Sequence, residues 1–245
     1  MKKSFFKPYI GDDYHKGING KRVLVVGASF YCGSKDCQYF AECTNPVQKD
    51  SSKFDTCCSA YTLSGQRLSE EPSNAIADGY KTYQTFGKFM QQFAKDTEDV
   101  WQRLAFTNYL QFISPSIETR KVYLSHRDFE AFNETLVALK PDVVVAWGMA
   151  FIKEIRDRHP YADLRRLAET EDYIYHIRLP QVGHSITVVN CYHPASMAHW
   201  YNNLDTLTMY MKQVLFSRRL WENLLTALRC LPEVPPIGIK RREDV

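Results

Sequence analysis

The chain has 245 residues, of which 44% are hydrophobic and 24% charged, and its formal net charge is +3. These values exclude a wholly disordered chain, and they lack the large basic excess of proteins that bind nucleic acid by phosphate neutralisation alone. The longest apolar stretch, residues 143–152, is far shorter than the roughly 20 residues that cross a bilayer. The first residues lack the apolar run of a signal peptide. We therefore expect a cytoplasmic protein that does not contact membranes.

The sequence contains seven cysteines, and five of them fall in one polar stretch. These five are Cys32, Cys37, Cys43, Cys57 and Cys58. Their spacing contains no C-x-x-C pair, which is the usual signature of a zinc ribbon. In a reducing compartment such cysteines are mostly free thiols. We expect free thiols and no metal or cofactor, and a zinc or iron–sulfur site on these five residues is the alternative.

The first half of the chain predicts an arm, a buried strand, a long insertion and then helices. Residues 1–20 are expected to form the arm, and the apolar run 22–26 before Gly27 is typical of a strand buried on both faces. A Cys-rich insertion follows over residues 33–78. Apolar residues at helical spacing predict a helix from residue 79 to about 95. A short helix over 97–104, a strand over 105–110 and a helix capped by Ser125 complete this half.

The second half continues the alternation of strands and helices. Residues 142–147 predict a strand and 149–159 a helix. Two further strands, 173–179 and 185–191, bracket a turn and predict a hairpin. A long helix is expected over residues 204–229. This order predicts an α/β fold with a mainly parallel sheet, as one domain over residues 1–231 with a tail at 232–245.

Ligands of parallel sheets bind beyond the carboxyl ends of the strands. Four patches near such ends, in this order, resemble the uracil-DNA glycosylase superfamily over roughly residues 21–200. They are Gly27-Ala28-Ser29-Phe30-Tyr31-Cys32, Phe106-Thr107-Asn108-Tyr109, Val143-Val144-Val145-Ala146-Trp147-Gly148-Met149-Ala150 and Tyr192-His193-Pro194-Ala195-Ser196. The resemblance implies a three-layer α/β/α sandwich and a role in DNA repair, with DNA or a nucleotide as partner. We expect the protein to be a monomer.

The resemblance also implies a role for each matching residue. Asn108 would read the edge of an extruded base, since an amide offers both a donor and an acceptor. His193 would stabilise the negative charge on the departing base. Ser29 stands in the loop that positions the attacking water. The remaining predicted pocket residues, from the first and last patches, are Gly27, Ala28, Phe30, Tyr31, Cys32, Pro194 and Ser196.

The first loop departs from the family pattern, because Ala28 and Ser29 stand where active members have Asp, Asn or Glu. Losing a positioned general base lowers a rate by about 10²–10⁴-fold. The sequence therefore predicts a divergent glycosylase-like protein that binds a nucleobase, with hydrolysis of the N-glycosidic bond as its candidate reaction.

Two other classes of function stay open. The first is an inactive nucleic-acid or nucleotide-binding module, in which basic runs contact phosphates. Those runs are Arg165-Arg166, Arg218-Arg219 and Lys240-Arg241-Arg242. The second is a hydrolase in which His193 activates Ser29, as in a nucleophile elbow. A thiol pair of His193 with Cys191 or Cys32 is a weaker variant of the same idea.

Overall fold

The computed structural model describes residues 6–31, 72–111, 113–114, 126–147, 174–191, 193–195, 200, 202 and 204–216. The chain divides into two compact units, Met1–Leu215 and Phe216–Val245, and only the first residue of the second unit is described. The predicted domain boundary at residue 231 therefore stays a prediction. The predicted insertion up to residue 71, the helix over 149–159 and the last part of the long helix also lie outside the described residues.

The described part of the first unit is a mixed α/β fold around a mostly parallel, six-stranded sheet with the order β1-β4-β2-β6-β8-β7. The strands are β1 (Tyr9–Ile10), β2 (Val23–Gly27), β4 (Leu104–Asn108), β6 (Val143–Trp147), β7 (Ile174–Arg178) and β8 (Ser185–Cys191). The four inner strands are parallel, and β1 and β7 pair antiparallel at the two edges. The predicted α/β class with a mainly parallel sheet is confirmed.

Two shorter strands extend this architecture beyond the carboxyl ends of β2 and β4. They are β3 (Phe30–Tyr31) and β5 (Ile113–Ser114), which pair parallel to each other. Backbone hydrogen bonds from Tyr109 to Gly27 (2.9 Å) and from Leu110 to Ala28 (3.0 Å) continue the pairing between the two sheets. The two segments that follow β2 and β4 therefore remain hydrogen-bonded neighbours beyond the end of the main sheet.

Alternate residues of the inner strands point to opposite faces of the sheet, and each face has its own apolar cluster. Val23, Val25 and Phe106 belong to one cluster, together with residues of helices α2 (Lys81–Gln91) and α4 (Leu204–Phe216). Leu24 and Val26 belong to the other. That second cluster includes residues of helix α3 (His126–Leu139). Because both faces are covered, the strands contain almost only apolar residues.

The helix over residues 72–77 was not predicted, because it lies within the predicted insertion 33–78, and the other described helices follow the predicted order. Helix α1 (Pro72–Ala77) precedes α2, which ends at Gln91 rather than near residue 95. The predicted short helix at 97–104 is one 3₁₀ turn, Val100–Arg103. The Asp99 side chain caps that turn by accepting the Trp101 N–H at 2.9 Å, and β4 begins directly after it. The predicted helix after Ser125 and the hairpin of β7 and β8 are confirmed.

The amino-terminal arm is part of the packed structure rather than an external appendage. β1 adds an edge strand to β4, with Tyr9 opposite Phe106. Phe6, Tyr14 and Ile18 are buried. The arm thus covers one edge of the sheet and supplies apolar side chains to it. None of the described helices has the length and apolar character to cross a membrane.

Lys140 adopts a left-handed backbone conformation (φ 46°) directly after α3, where its N–H bonds to the Leu136 carbonyl oxygen at 2.9 Å. This conformation is costly for a residue with a Cβ, and glycine adopts it freely. We expect Lys140→Gly to raise the free energy of unfolding by about 1 kcal/mol, measured by urea titration. Lys140→Ala removes the charge but keeps the Cβ, and an equal gain in that control would contradict the explanation.

Candidate functional site

The carboxyl ends of the inner strands lie at one edge of the sheet, and the register places their last residues side by side. Gly27 is paired with Asn108, and Trp147 is paired with Cys191. These residues continue the alternation that points toward the α2 face. At a strand spacing of about 4.8 Å, three strand steps place the backbones of Asn108 and Cys191 about 14 Å apart. Gly27, Asn108, Trp147 and Cys191 thus form one row across the end of the sheet, and Asn108 contributes an amide to it.

Asn108 lies directly against Gly27, and the contact depends on the absence of a side chain at residue 27. A Cβ added to Gly27 would overlap the Asn108 Oδ1 and would come within 3.2 Å of the Phe106 ring. The Asn108 amide therefore occupies the space above the glycine. Asn108 is only 4% exposed. The strand end that the sequence predicted as a base-reading position thus carries a buried amide held across β2.

A buried polar network holds the backbone that follows Asn108. The Gln111 Nε2 donates to the Asn108 carbonyl oxygen at 3.0 Å, and the Gln111 Oε1 accepts the Phe6 N–H at 3.1 Å. The Gln111 N–H donates to the Asp128 carboxylate at 2.7 Å. Asp128 lies in the first turn of α3, where the helix dipole favours a negative charge. The strand end is therefore fastened both to the amino-terminal arm and to α3.

The loop after β2 is two residues long. Ala28 is buried, Ser29 is half-buried, and the next two residues already form β3. A nucleophile elbow instead requires a sharp turn from a strand into a helix. A strand and not a helix follows Ser29, so Ser29 does not lie in an elbow.

His193 follows β8, and its ring orientation is set by the loop itself. The His193 Nδ1 accepts the Ala195 N–H at 3.2 Å. In a neutral imidazole the second nitrogen, Nε2, then carries the proton and acts as a donor. The His193 ring meets the Trp147 ring edge to face, with centroids 5.9 Å apart and planes at 75°. This loop presents a hydrogen-bond donor at the carboxyl edge of the sheet.

Trp147 connects this edge to the core of the α2 face. Its ring lies 5.4 Å from the Tyr83 ring and 5.0 Å from the Phe86 ring, centroid to centroid. Trp147 is 2% exposed, and its buried indole N–H has no hydrogen-bond partner among the described residues. Sequence reasoning placed Trp147 in a matching patch without giving it a role. Its position as the last residue of a buried strand was the signal that it borders the site.

Apart from Ala28 and Ser29, the predicted site residues divide into four groups. Gly27 and Asn108 are in contact, and His193 and Pro194 lie at the same edge, beyond the neighbouring β6 and β8. Phe30 and Tyr31 form β3, and only their backbone is described. Cys32 and Ser196 lie outside the described residues, as do the basic runs at 165–166, 218–219 and 240–242. Sequence reasoning missed Gln111 and Asp128 as supports of Asn108.

Within the described ranges, no group of three or more His, Cys, Asp or Glu side chains is placed to hold a metal ion. Cys32, Cys37, Cys43, Cys57 and Cys58 lie outside those ranges. The predictions of free thiols and of no cofactor therefore stay predictions.

A scan against protein-family models and a search of curated proteins gave no match to the chain. The relationship to the uracil-DNA glycosylase superfamily therefore remains a resemblance.

The contact between Gly27 and Asn108 predicts a specific energetic coupling. We expect Gly27→Ala to lower the free energy of unfolding by about 1–3 kcal/mol, because the new methyl group displaces a buried amide. Asn108→Ala removes the amide, so the double variant should lose less stability than the sum of the two single variants. Chemical denaturation of all four proteins measures the coupling, and additive losses would show that the two residues do not interfere.

Cys191 is the described member of the proposed thiol pair, and its environment opposes that role. The residue is 3% exposed, and burial raises the pKa of its thiol well above the ordinary value. A thiol held in the neutral form is a poor nucleophile. We expect Cys191 to resist alkylation at pH 8 in the folded protein and to react fully in denaturant, as measured by peptide mass spectrometry. Rapid alkylation in the folded state would instead support a reactive Cys191 thiol paired with His193.

Proposed function

We propose that this chain binds a nucleobase extruded from nucleic acid at the carboxyl edge of its sheet, as a glycosylase-like protein. The buried amide of Asn108 supports the reading of the base, because an amide presents a donor and an acceptor to a base edge. Gly27 has no side chain and so leaves room for that amide itself. Trp147 borders the same edge on the side of β8. Proteins that extrude a base hold it with hydrogen bonds to its edge and with aromatic or apolar side chains, and this edge carries both kinds of residue.

The observation that carries the proposal is the hydrogen bond from Ala195 to the His193 Nδ1. It leaves the proton of the neutral ring on Nε2 and so makes Nε2 the donor nitrogen of His193. When the bond between C1′ and the base nitrogen breaks, its electrons stay on the base. A donor aimed at that developing charge stabilises the transition state more than the bound substrate. In the proposed reaction the oxygen of a water molecule bonds to C1′ as a hydroxyl, and the proton that the water loses balances the proton taken up by the released base.

The same hydrogen bond argues against the hydrolase alternative. In a Ser–His–Asp arrangement the His Nδ1 carries the proton and donates it to a carboxylate. The His193 Nδ1 instead accepts an N–H, so it has no proton to donate in that direction. Ser29 is also followed directly by strand β3 rather than by a helix. These two features favour the nucleobase-binding function over ester or peptide hydrolysis.

The fold part of the proposal is a three-layer α/β/α sandwich of the uracil-DNA glycosylase type. Its support is the distribution of apolar side chains into two clusters, one on each face of the sheet. Residues of α2 and α4 belong to one cluster, and residues of α3 belong to the other. The site we propose then lies at the edge where ligands of such sheets bind.

The first loop limits the rate of the proposed reaction. The sequence from Gly27 to Lys35 contains no Asp or Glu, and the Ser29 hydroxyl is not a base at neutral pH. Water would therefore attack without a carboxylate to orient it. The same absence favours the second candidate, a protein that binds the base without cleaving it. The two candidates share Asn108 and His193, and a cleavage assay separates them.

The test is base excision from oligonucleotides that carry uracil, hypoxanthine, xanthine or an alkylated base, followed by chemical cleavage at abasic sites. We expect slow release of one of these bases. Asn108→Asp keeps the shape of the side chain but removes the N–H donor, and His193→Ala removes the donor to the leaving base. Each should lower the rate by about 10²–10³-fold, the effect of losing one such donor.

His126→Ala is the matched control, because His126 lies on α3 and its side chain is 68% exposed. Its rate should equal that of the unchanged protein. If no base is released but the modified oligonucleotide binds more tightly than the unmodified one, and both site variants abolish that preference, the binding candidate is supported. If neither release nor preference depends on Asn108 and His193, the proposed function is wrong.

A further inference from the structure

A groove runs along the α2 face beside the loop that contains His193. Its volume is about 760 Å³. One wall is the exposed side of α2, with Lys81, Gln84, Lys88 and Gln92 along its rim. Pro194 and Ala195 form part of the opposite side. The groove therefore begins at the residues that directly follow His193.

The rim of the groove is basic and polar. Lys81 and Lys88 are seven residues apart, which places them on the same side of the helix and about 10 Å apart along its axis. Both are exposed. No Asp or Glu lies among the described residues that line the groove. The electrostatic complement of such a rim is a polyanion.

The base of the groove is apolar. Phe89 and Trp200 line it, with ring centroids 5.3 Å apart and planes at 78°. Leu204 and Pro194 add to the apolar lining. Their chemistry differs from that of a flat phosphate-binding surface, which needs only charge. Phe89 is 7% and Trp200 1% exposed, so they support the apolar floor from the core rather than forming an open stacking surface. A basic rim above an apolar floor suits unpaired nucleotides, whose bases can lie on apolar side chains while their phosphates meet lysines.

We propose that this groove binds a single-stranded segment of nucleic acid adjacent to the base held at the sheet edge. The proposal rests on the proposed function, because it identifies the strand that would deliver the base. Pro194 joins the two sites, since it lines the groove and follows His193 in the chain. Lys81 and Lys88 contact phosphates, while Gln84 and Gln92 offer hydrogen bonds to the sugars and bases. A rigid duplex keeps its bases stacked inside and could not use the apolar base of the groove.

The test is the binding of an unmodified, fluorescein-labelled single-stranded oligonucleotide, measured by fluorescence anisotropy at several salt concentrations. Each phosphate contact on a single strand contributes about 0.7 to the slope of log K against log salt concentration. We expect the double variant Lys81→Gln, Lys88→Gln to bind more weakly at low salt and to reduce the slope by about 1.4.

The matched control is the double variant Lys21→Gln, Lys140→Gln, which removes the same charge. Both of these lysines precede inner strands, at the opposite edge of the sheet. Its slope should equal that of the unchanged protein. An equal reduction in both double variants would show a general charge effect and would overturn the proposal. So would binding of a blunt duplex as tightly as the single strand with the same dependence on Lys81 and Lys88.

Asn108→Asp separates the failure of this proposal from that of the proposed function. If the lysine variant loses no affinity while Asn108→Asp abolishes the preference for a modified base, the groove proposal alone is wrong. If the lysine variant loses affinity but Asn108→Asp changes no preference, the groove binds nucleic acid and the base site does not.

Discussion

The burial of the inner strands on both faces is the constraint on which the rest of this structure depends. β2, β4 and β6 are buried at every residue, so apart from Thr107 they contain apolar residues or glycine until Asn108. Asn108 is the last residue of β4, and His193 comes two residues after β8. The parallel direction of these strands brings both to one edge. The polar candidate residues therefore lie where the strands leave the apolar core.

The pairing of β2 with β4 has a second effect, because it determines what lies beside the Asn108 amide. In the observed register Asn108 faces Gly27. A shift of one residue would turn every side chain of the strand to the other face and would place Asn108 among the apolar residues around α3. The Gln111 network and Asp128 hold the chain directly after this position. The register and the network together keep a buried amide in one orientation.

Much of the fold could be predicted from local patterns. The valine run of β6 predicts a doubly buried strand, the turn before Ser185 predicts the hairpin, and the apolar spacing after Ser125 predicts α3. The pairing of β1 with β4 could not be predicted, because a two-residue strand has no periodicity. The contact of Asn108 with Gly27 depends on register, which the sequence of neither strand contains. The groove could not be predicted either, because it depends on a contact between Phe89 and Trp200, which lie far apart in the sequence.

The amino-terminal arm has a consequence for the solubility of the protein. β4 would be an edge strand of the sheet without β1, and an uncovered edge of apolar residues pairs readily with other chains. Among the described residues Tyr9 and Ile10 pair with it, and the bonds from the Gly11 N–H to the Leu104 carbonyl oxygen (2.9 Å) and from the Phe6 N–H to Gln111 hold the arm in place. A chain shortened by its first ten residues would expose the backbone of β4 to edge-to-edge association. The arm therefore protects the protein from aggregation at the strand that ends in Asn108.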